Sequence, residues 1–206
     1  MRRVILKTGE QFSNKHLKRT GAFNARAMEA ATNIIEQVRE QGDAALRELT
    51  ERFDGVAIED FRVPAEAIEA AAAKVDPKTE EALKKAAKQI REFHERQVKQ
   101  SWFSVREDGA LVGAKVTPLE SVGIYVPGGR AQYPSTVLMD VIPAKVAGVA
   151  EIVMTTPAGK DGKVNPVILA AAATAGVTKI FKTGGAQAVA ALAYGPQSIP
   201  AVDKIV

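Results

Sequence analysis

The stretch that decides the fold covers residues 121–156 and reads SVGIYVPGGRAQYPSTVLMDVIPAKVAGVAEIVMTT. A β-rich run over 122–126 is followed by a Pro-Gly-Gly loop, a helical segment over about 135–146 and a second β-rich run over 151–155. Parallel strands must be joined by a crossover, which is usually a helix, so this order is typical of a β-α-β unit. The stretch therefore predicts an α/β fold.

The same alternation continues to the end of the sequence. Helices are predicted over 165–175 and 186–194, and strands over 179–182 and 203–206. Helical crossovers between parallel strands are right-handed and cover the sheet. We therefore predict a Rossmann-like parallel sheet with helices on both faces.

The first half of the chain, up to about Asp108, instead predicts helices. Apolar residues recur at helical spacing over 24–40, and Gly42-Asp43 ends that helix and caps a second one, which stops at Asp54-Gly55. A third helix begins at Asp76-Pro77 and runs to about Gln100. We predict a mostly helical segment over 1–112, part of a domain that further sequence completes, and an incomplete Rossmann-like lobe over 113–206.

Composition narrows the class of protein. The chain of 206 residues is 46% hydrophobic and 25% charged, and it contains no apolar run near the roughly 20 residues that span a bilayer. We expect no membrane role and, because the N-terminus lacks a secretion signal, a cytoplasmic location. With no cysteine, the chain has no disulfide and no thiolate metal ligand.

The two histidines, His16 and His94, are far apart in the sequence and are poor material for a zinc site. His94 follows the apolar stripe of the third helix, so we expect a structural, hydrogen-bonded side chain. The net charge is +4 and the pI is about 9.3. The one basic run, residues 15–19, is more typical of solvated surface than of a nucleic-acid patch, so we expect no nucleic-acid partner.

Two glycine-containing loops follow predicted strands, at residues 125–130 and 183–187. Ligands of parallel sheets bind outside the carboxyl ends of the strands, where such loops gather. Tyr125 offers an aromatic face and a hydroxyl, and Gln187 offers an amide donor and acceptor. Neither loop matches G-x-G-x-x-G, so tight turns alone also explain the glycines. Arg130 is either a surface residue or a phosphate clamp.

Several long motifs resemble those of the histidinol dehydrogenase family, in the same order and at the same spacing. The second half contributes PLESVGIYVPGG (118–129), YPSTVLM (133–139), IPAKVAGV (142–149) and GGAQAVAALAYG (184–195). The helical half contributes GDAAL (42–46), ERFDG (51–55) and FHERQ (93–97). The resemblance covers nearly the whole chain.

The resemblance implies a cytoplasmic, homodimeric enzyme of histidine biosynthesis that requires zinc. Such an enzyme oxidises the small molecule L-histidinol to L-histidine through the aldehyde and reduces two NAD in succession. In the family, zinc holds the substrate and a Glu-His pair transfers protons. The family's NAD contacts correspond to Tyr125 and Gln187, the two residues that the sheet geometry also selects.

One departure from the family pattern concerns length, since family members run to about twice this number of residues. The family's zinc ligands and its Glu-His pair have no counterpart here, so the resemblance assigns no catalytic and no metal-binding residue to this chain. We therefore expect a truncated, inactive portion of the enzyme. The alternative is a non-catalytic α/β module that binds a nucleotide.

Overall fold

A computed structural model describes residues 5–11, 25–128 and 132–206. The chain divides into two compact units, Met1–Asn33 and Ile34–Val206. In the first unit, a turn is closed by the Glu10 N–H, which donates to the Lys7 carbonyl at 2.9 Å. The second unit holds the sheet and most of the helices. His16, the basic run 15–19 and Arg130 lie outside the described residues.

The described residues form seven helices and six strands. The helices are α1 (Ala25–Gln41), α2 (Asp43–Asp54), α3 (Ala65–Lys74), α4 (Pro77–Glu95), α5 (Pro134–Val146), α6 (Pro166–Ala175) and α7 (Gly185–Tyr194). The strands are β1 (Trp102–Val105), β2 (Leu111–Ala114), β3 (Ser121–Tyr125), β4 (Glu151–Thr156), β5 (Lys179–Lys182) and β6 (Lys204–Ile205).

Four strands form one sheet in the order β5-β4-β3-β6, and all its neighbouring strands are parallel. The first strand of this sheet along the chain, β3, therefore lies inside it, and the chain adds strands first on one side of β3 and then on the other. This order is that of the doubly wound fold, whose ligand crevice lies where the order reverses. The predicted Rossmann-like parallel sheet is confirmed.

Each face of the sheet carries its own apolar core. On one face Ile124, Met154 and Ile180 pack with α5 and α6, and α3 and α4 cover that layer. On the other face Val153 and Phe181 pack with α2, α7 and the last two turns of α1. Successive strand residues point to opposite faces. Helices therefore cover both faces, as predicted.

The free edge of β5 is covered by an extended segment between α2 and α3. The Val63 N–H donates to the Ile180 carbonyl at 2.8 Å, and the Lys182 N–H donates to the Phe61 carbonyl at 2.7 Å. Arg62 pairs with Phe181 in an antiparallel bridge. This pairing satisfies backbone groups that an open edge strand would leave exposed.

The predicted helical half is only partly confirmed. Helices α1, α2 and α4 begin and end within two residues of expectation, except that α4 ends at Glu95 and not near Gln100. Val98 continues the apolar stripe in sequence but is 52% exposed, so its partial burial adds little to hold another helical turn. Helix α3 (Ala65–Lys74) was not predicted from the sequence.

Residues 102–114 contradict the prediction of helix up to about Asp108. They form an antiparallel hairpin of β1 and β2, and Asp108-Gly109 is its turn. Gly109 has φ +82° and the Asp108 carboxylate accepts from the Ala110 N–H at 3.1 Å. Both features are typical of Asp-Gly hairpin turns. The predicted division after residue 112 lies within β2, and two separate domains stay a prediction.

Gly42 separates α1 from α2 as predicted, but Asp43 does not cap its own helix. Its carboxylate accepts from the Ser198 backbone N–H at 3.1 Å and from the Ser198 hydroxyl at 2.5 Å. The side chain thus ties the start of α2 to the segment after α7.

Among the described residues, no helix is long and apolar enough to cross a membrane.

Substitution of two phenylalanines that are close in sequence tests the packing of the core on the α2 and α7 face. Phe61 is fully buried and Phe53 is 52% exposed. We expect Phe61→Ala to lower the free energy of unfolding by about 3–5 kcal/mol, because it leaves a cavity in a packed core. Phe53→Ala should cost under about 1 kcal/mol. Urea unfolding measures both, and equal losses would contradict the described packing.

Candidate functional site

The two predicted glycine loops meet at the carboxyl ends of the strands. Pro157, which follows β4, lies between them. A Cβ on Gly128 would stand 2.4 Å from the Pro157 Cγ, and one on Gly184 would stand 2.8 Å from the Pro157 Cβ. Both positions therefore need glycine for close packing, so a structural role is part of the explanation for these residues.

Tyr125 joins the two loops directly. Its ring is half-buried at the end of β3, and its hydroxyl oxygen accepts from the Gly185 N–H at 3.2 Å. Gly185 is the first residue of α7 and is exposed. The bond therefore holds the start of α7 against the end of the central strand, across 60 positions of sequence.

Gln187 lies in the first turn of α7 with only 1% of its surface exposed. Its Nε2 atom is buried and has no hydrogen-bond partner in the part of the chain that the structure describes. Leaving such a donor unpaired costs about 1–3 kcal/mol. Gly185 has φ +66°, and a Cβ there would stand 2.8 Å from the Gln187 Oε1. The side-chain amide of Gln187 thus lies directly behind the exposed Gly185.

Three further polar residues share this face of the sheet, and sequence reasoning missed them as site residues. The Thr50 and Thr183 hydroxyls are hydrogen-bonded at 3.1 Å, and both side chains are fully buried. Thr155 lies two residues beyond Val153 and therefore on the same face, and its buried hydroxyl has no partner among the described residues. The only signal in the sequence was the pair Thr155-Thr156 at the end of a β-rich run.

Asp54, the last residue of α2, lies beside the same loop. Burial raises the pKa of its carboxyl above the ordinary value, and a hydrogen-bonding interaction with the Gly184 N–H lowers the pKa by less. Its Oδ2 atom is buried without a partner in the described structure. In the sequence, Asp54-Gly55 indicates only the end of a helix.

The structure does not bring His94 to this loop. His94 is half-buried, and its Nδ1 is hydrogen-bonded to the Gln97 Oε1 at 2.7 Å, as expected for a structural histidine. It lines a cavity of about 510 Å³ with Pro118 and Val149, which precede β3 and β4. That cavity is at the amino edge of the sheet. Within the described ranges, no three His, Asp or Glu side chains form a group that could hold a metal.

An apolar cavity of about 580 Å³ lies between α3 and α6 on the opposite face. Val63, Ala71 and Leu169 line it, and three lysines stand among the lining residues. None of the buried, unpaired polar atoms belongs to its lining. The polar side chains needed to orient a ligand are at the carboxyl edge instead.

Comparisons with known proteins agree on one family. The family model described as histidinol dehydrogenase matches residues 17–206. The histidinol dehydrogenase of Geobacillus kaustophilus is 54% identical over 176 residues, which is 85% of this chain and 42% of the relative. That of Pseudomonas putida is 54% identical over 188 residues, 90% of this chain and 42% of the relative.

A solved structure gives the same result. The crystal structure of histidinol dehydrogenase from Elizabethkingia anophelis matches with a TM-score of 0.85 and 35% identity. The match covers 91% of this chain and 43% of that chain. The chain therefore spans about two fifths of the length of the relatives that it matches.

The raised pKa of Asp54 predicts how pH changes stability. A carboxyl with a raised folded-state pKa binds more protons folded than unfolded, so its contribution is lost as pH rises from 3.8 through the folded pKa. Asp54→Asn removes this titration. We expect the variant's stability relative to the wild type to increase with pH over that window and then stay constant to neutral pH. Urea unfolding at a series of pH values measures it, and a pH-independent difference would contradict the assignment.

Proposed function

Because the chain belongs to the histidinol dehydrogenase family, we propose that it forms the cofactor-binding N-terminal part of an NAD-dependent, zinc-requiring enzyme. The whole enzyme oxidises L-histidinol to L-histidine through the aldehyde and reduces two NAD in succession, within histidine biosynthesis. Since the chain spans about two fifths of its relatives, this activity is proposed for the full-length protein.

The proposed NAD contacts are Tyr125 and Gln187. The observation that carries this assignment is the buried, unpaired Nε2 of Gln187 behind the exposed Gly185. A bound ligand with a carbonyl or phosphate oxygen over that glycine gives the amide a partner. Tyr125 is fixed beside it by the bond from the Gly185 N–H. Both residues fit a ligand at the doubly wound sheet's usual position.

The start of α7 suits the anionic part of a dinucleotide. Gly184 precedes the helix without a side-chain capping bond, and helix N-termini attract anions through their N–H groups and dipole. Exposed Gly185 lets a ligand approach the backbone closely. NAD, when bound, accepts hydride from the substrate. The chain's own residues bind and orient it.

The described residues do not fit the zinc that the family implies. They contain no group of three possible ligands, and His94 is engaged with Gln97 far from the glycine loops. We propose that zinc and the proton-transferring residues are held by the part of the relatives' length that this chain does not span.

The remaining parts of the proposal rest on the family and on the sequence. The full protein is proposed to be a cytoplasmic homodimer that acts on a small molecule and binds neither nucleic acid nor a membrane. Residues 1–112 and 113–206 are proposed as parts of two domains. The second candidate function is a non-catalytic α/β nucleotide-binding module, which the buried, unpaired amide at the glycine loop also fits.

Three variants test the NAD site. Tyr125→Phe removes the hydroxyl that holds Gly185, and Gln187→Met removes the amide at similar volume. We expect weak NAD binding by the wild type, and each of these two variants should weaken it about tenfold, the value of one hydrogen bond. Tyr194→Phe, at the half-exposed end of the same helix, is the matched control and should bind like the wild type. A calorimetric or NMR titration measures all four proteins.

The same preparation separates the two candidate functions. Both candidate functions require that NAD binds the wild-type chain. Absence of binding at millimolar NAD would therefore contradict both functions. The 206-residue chain with zinc and histidinol is expected to form no NADH, whereas a full-length relative does. Addition, as a second chain, of the part of a relative that this chain does not span should restore turnover under the enzyme proposal. No restoration despite complex formation would favour the binding module.

A further inference from the structure

Helix α2 contacts the glycine loop through two polar side chains one helical turn apart. Residues four apart lie on the same face of a helix, and Thr50 and Asp54 are such a pair. Thr50 is hydrogen-bonded to Thr183, and Asp54 interacts with the N–H of the next residue, Gly184. The loop is therefore bonded to α2 at Thr183 and lies near the Asp54 carboxyl at the next residue, Gly184.

The Asp54 carboxylate does not stabilise its own helix, α2. A carboxylate at a helix C-terminus faces the negative end of the dipole, and burial adds a further cost to its charge. The helix itself ends by other means, since Gly55 adopts φ +71° and its N–H donates to the Glu51 carbonyl. The end of α2 thus does not need an aspartate.

We propose that Asp54 is a positioning residue of the cofactor loop, which fixes the Gly184-Gly185 turn so that Gln187 and Tyr125 face the same ligand. This inference rests on the proposed NAD site. The Asp54 carboxyl lies near the Gly184 N–H on one side of the loop, while Pro157 packs against Gly184 on the other. Gly185 then donates to Tyr125, and Gln187 follows in the first turn of α7.

We do not expect Asp54 itself to contact NAD. Its Oδ2 atom is buried, so the carboxyl acts through the loop backbone. Asparagine keeps a carbonyl oxygen that can accept from the Gly184 N–H, and alanine does not. The proposal therefore distinguishes Asp54→Asn from Asp54→Ala, a difference that loss of helix stability alone does not produce.

The test compares Asp54→Ala, Asp54→Asn and the control Glu51→Ala, whose side chain is exposed on the same helix. NMR follows NAD titration of each protein. We expect Asp54→Ala to weaken NAD binding roughly tenfold, Asp54→Asn to bind within about twofold of the wild type, and Glu51→Ala to be unchanged. Equal affinities of Asp54→Ala and the wild type would overturn the proposal.

A measurement without ligand separates this inference from the NAD proposal. The exchange rate of the Gly184 and Gly185 amide protons reports how firmly the turn is held. We expect faster exchange in Asp54→Ala than in the wild type, with recovery in Asp54→Asn. If no protein binds NAD, the proposed function fails while this rate still decides the positioning role. Unchanged exchange in Asp54→Ala would refute that role even if NAD binds.

Discussion

The central position of β3 is the constraint on which the rest of the structure depends. β3 pairs with β4 on one side and β6 on the other, and each of its faces meets a different apolar core. Gly123 shows how little space this leaves, since a Cβ there would stand 2.8 Å from Val202 and 3.0 Å from Leu192. With all four strands parallel, every carboxyl end lies at one edge, where the Tyr125 hydroxyl accepts from the Gly185 N–H.

The two faces of the sheet differ in how they end at that edge. On the α5 and α6 face the apolar core leads to a cavity lined mainly by aliphatic side chains. On the α2 and α7 face the core gives way to threonines, Asp54 and Gln187, three of which leave a buried polar atom unpaired in the described structure. Such atoms oppose folding unless they have a partner. Their concentration on one face is the strongest reason to place the ligand there.

The sequence predicted residues 121–206 far better than the first half. Strands such as 151–156 are short apolar runs bounded by Gly and Pro, and Asn165 caps α6 through its side chain, so local signals agreed with the tertiary structure. The hairpin was missed because its strands are exposed at every position and lack the alternation that marks a half-buried strand. Tyr125 and Gln187 stand beside recognisable glycines. No local signal marks the role proposed for Asp54, because that role depends on the nearness of Gly184, 130 positions later in the chain.

The central claim is that a nucleotide binds at the carboxyl edge on the α2 and α7 face. NMR chemical-shift mapping of the isotope-labelled protein during NAD addition tests it most directly. We expect the largest chemical-shift changes to cluster at residues 125–128 and 183–187. Shifts centred on the α3 and α6 cavity, around Val63 and Leu169, would contradict it.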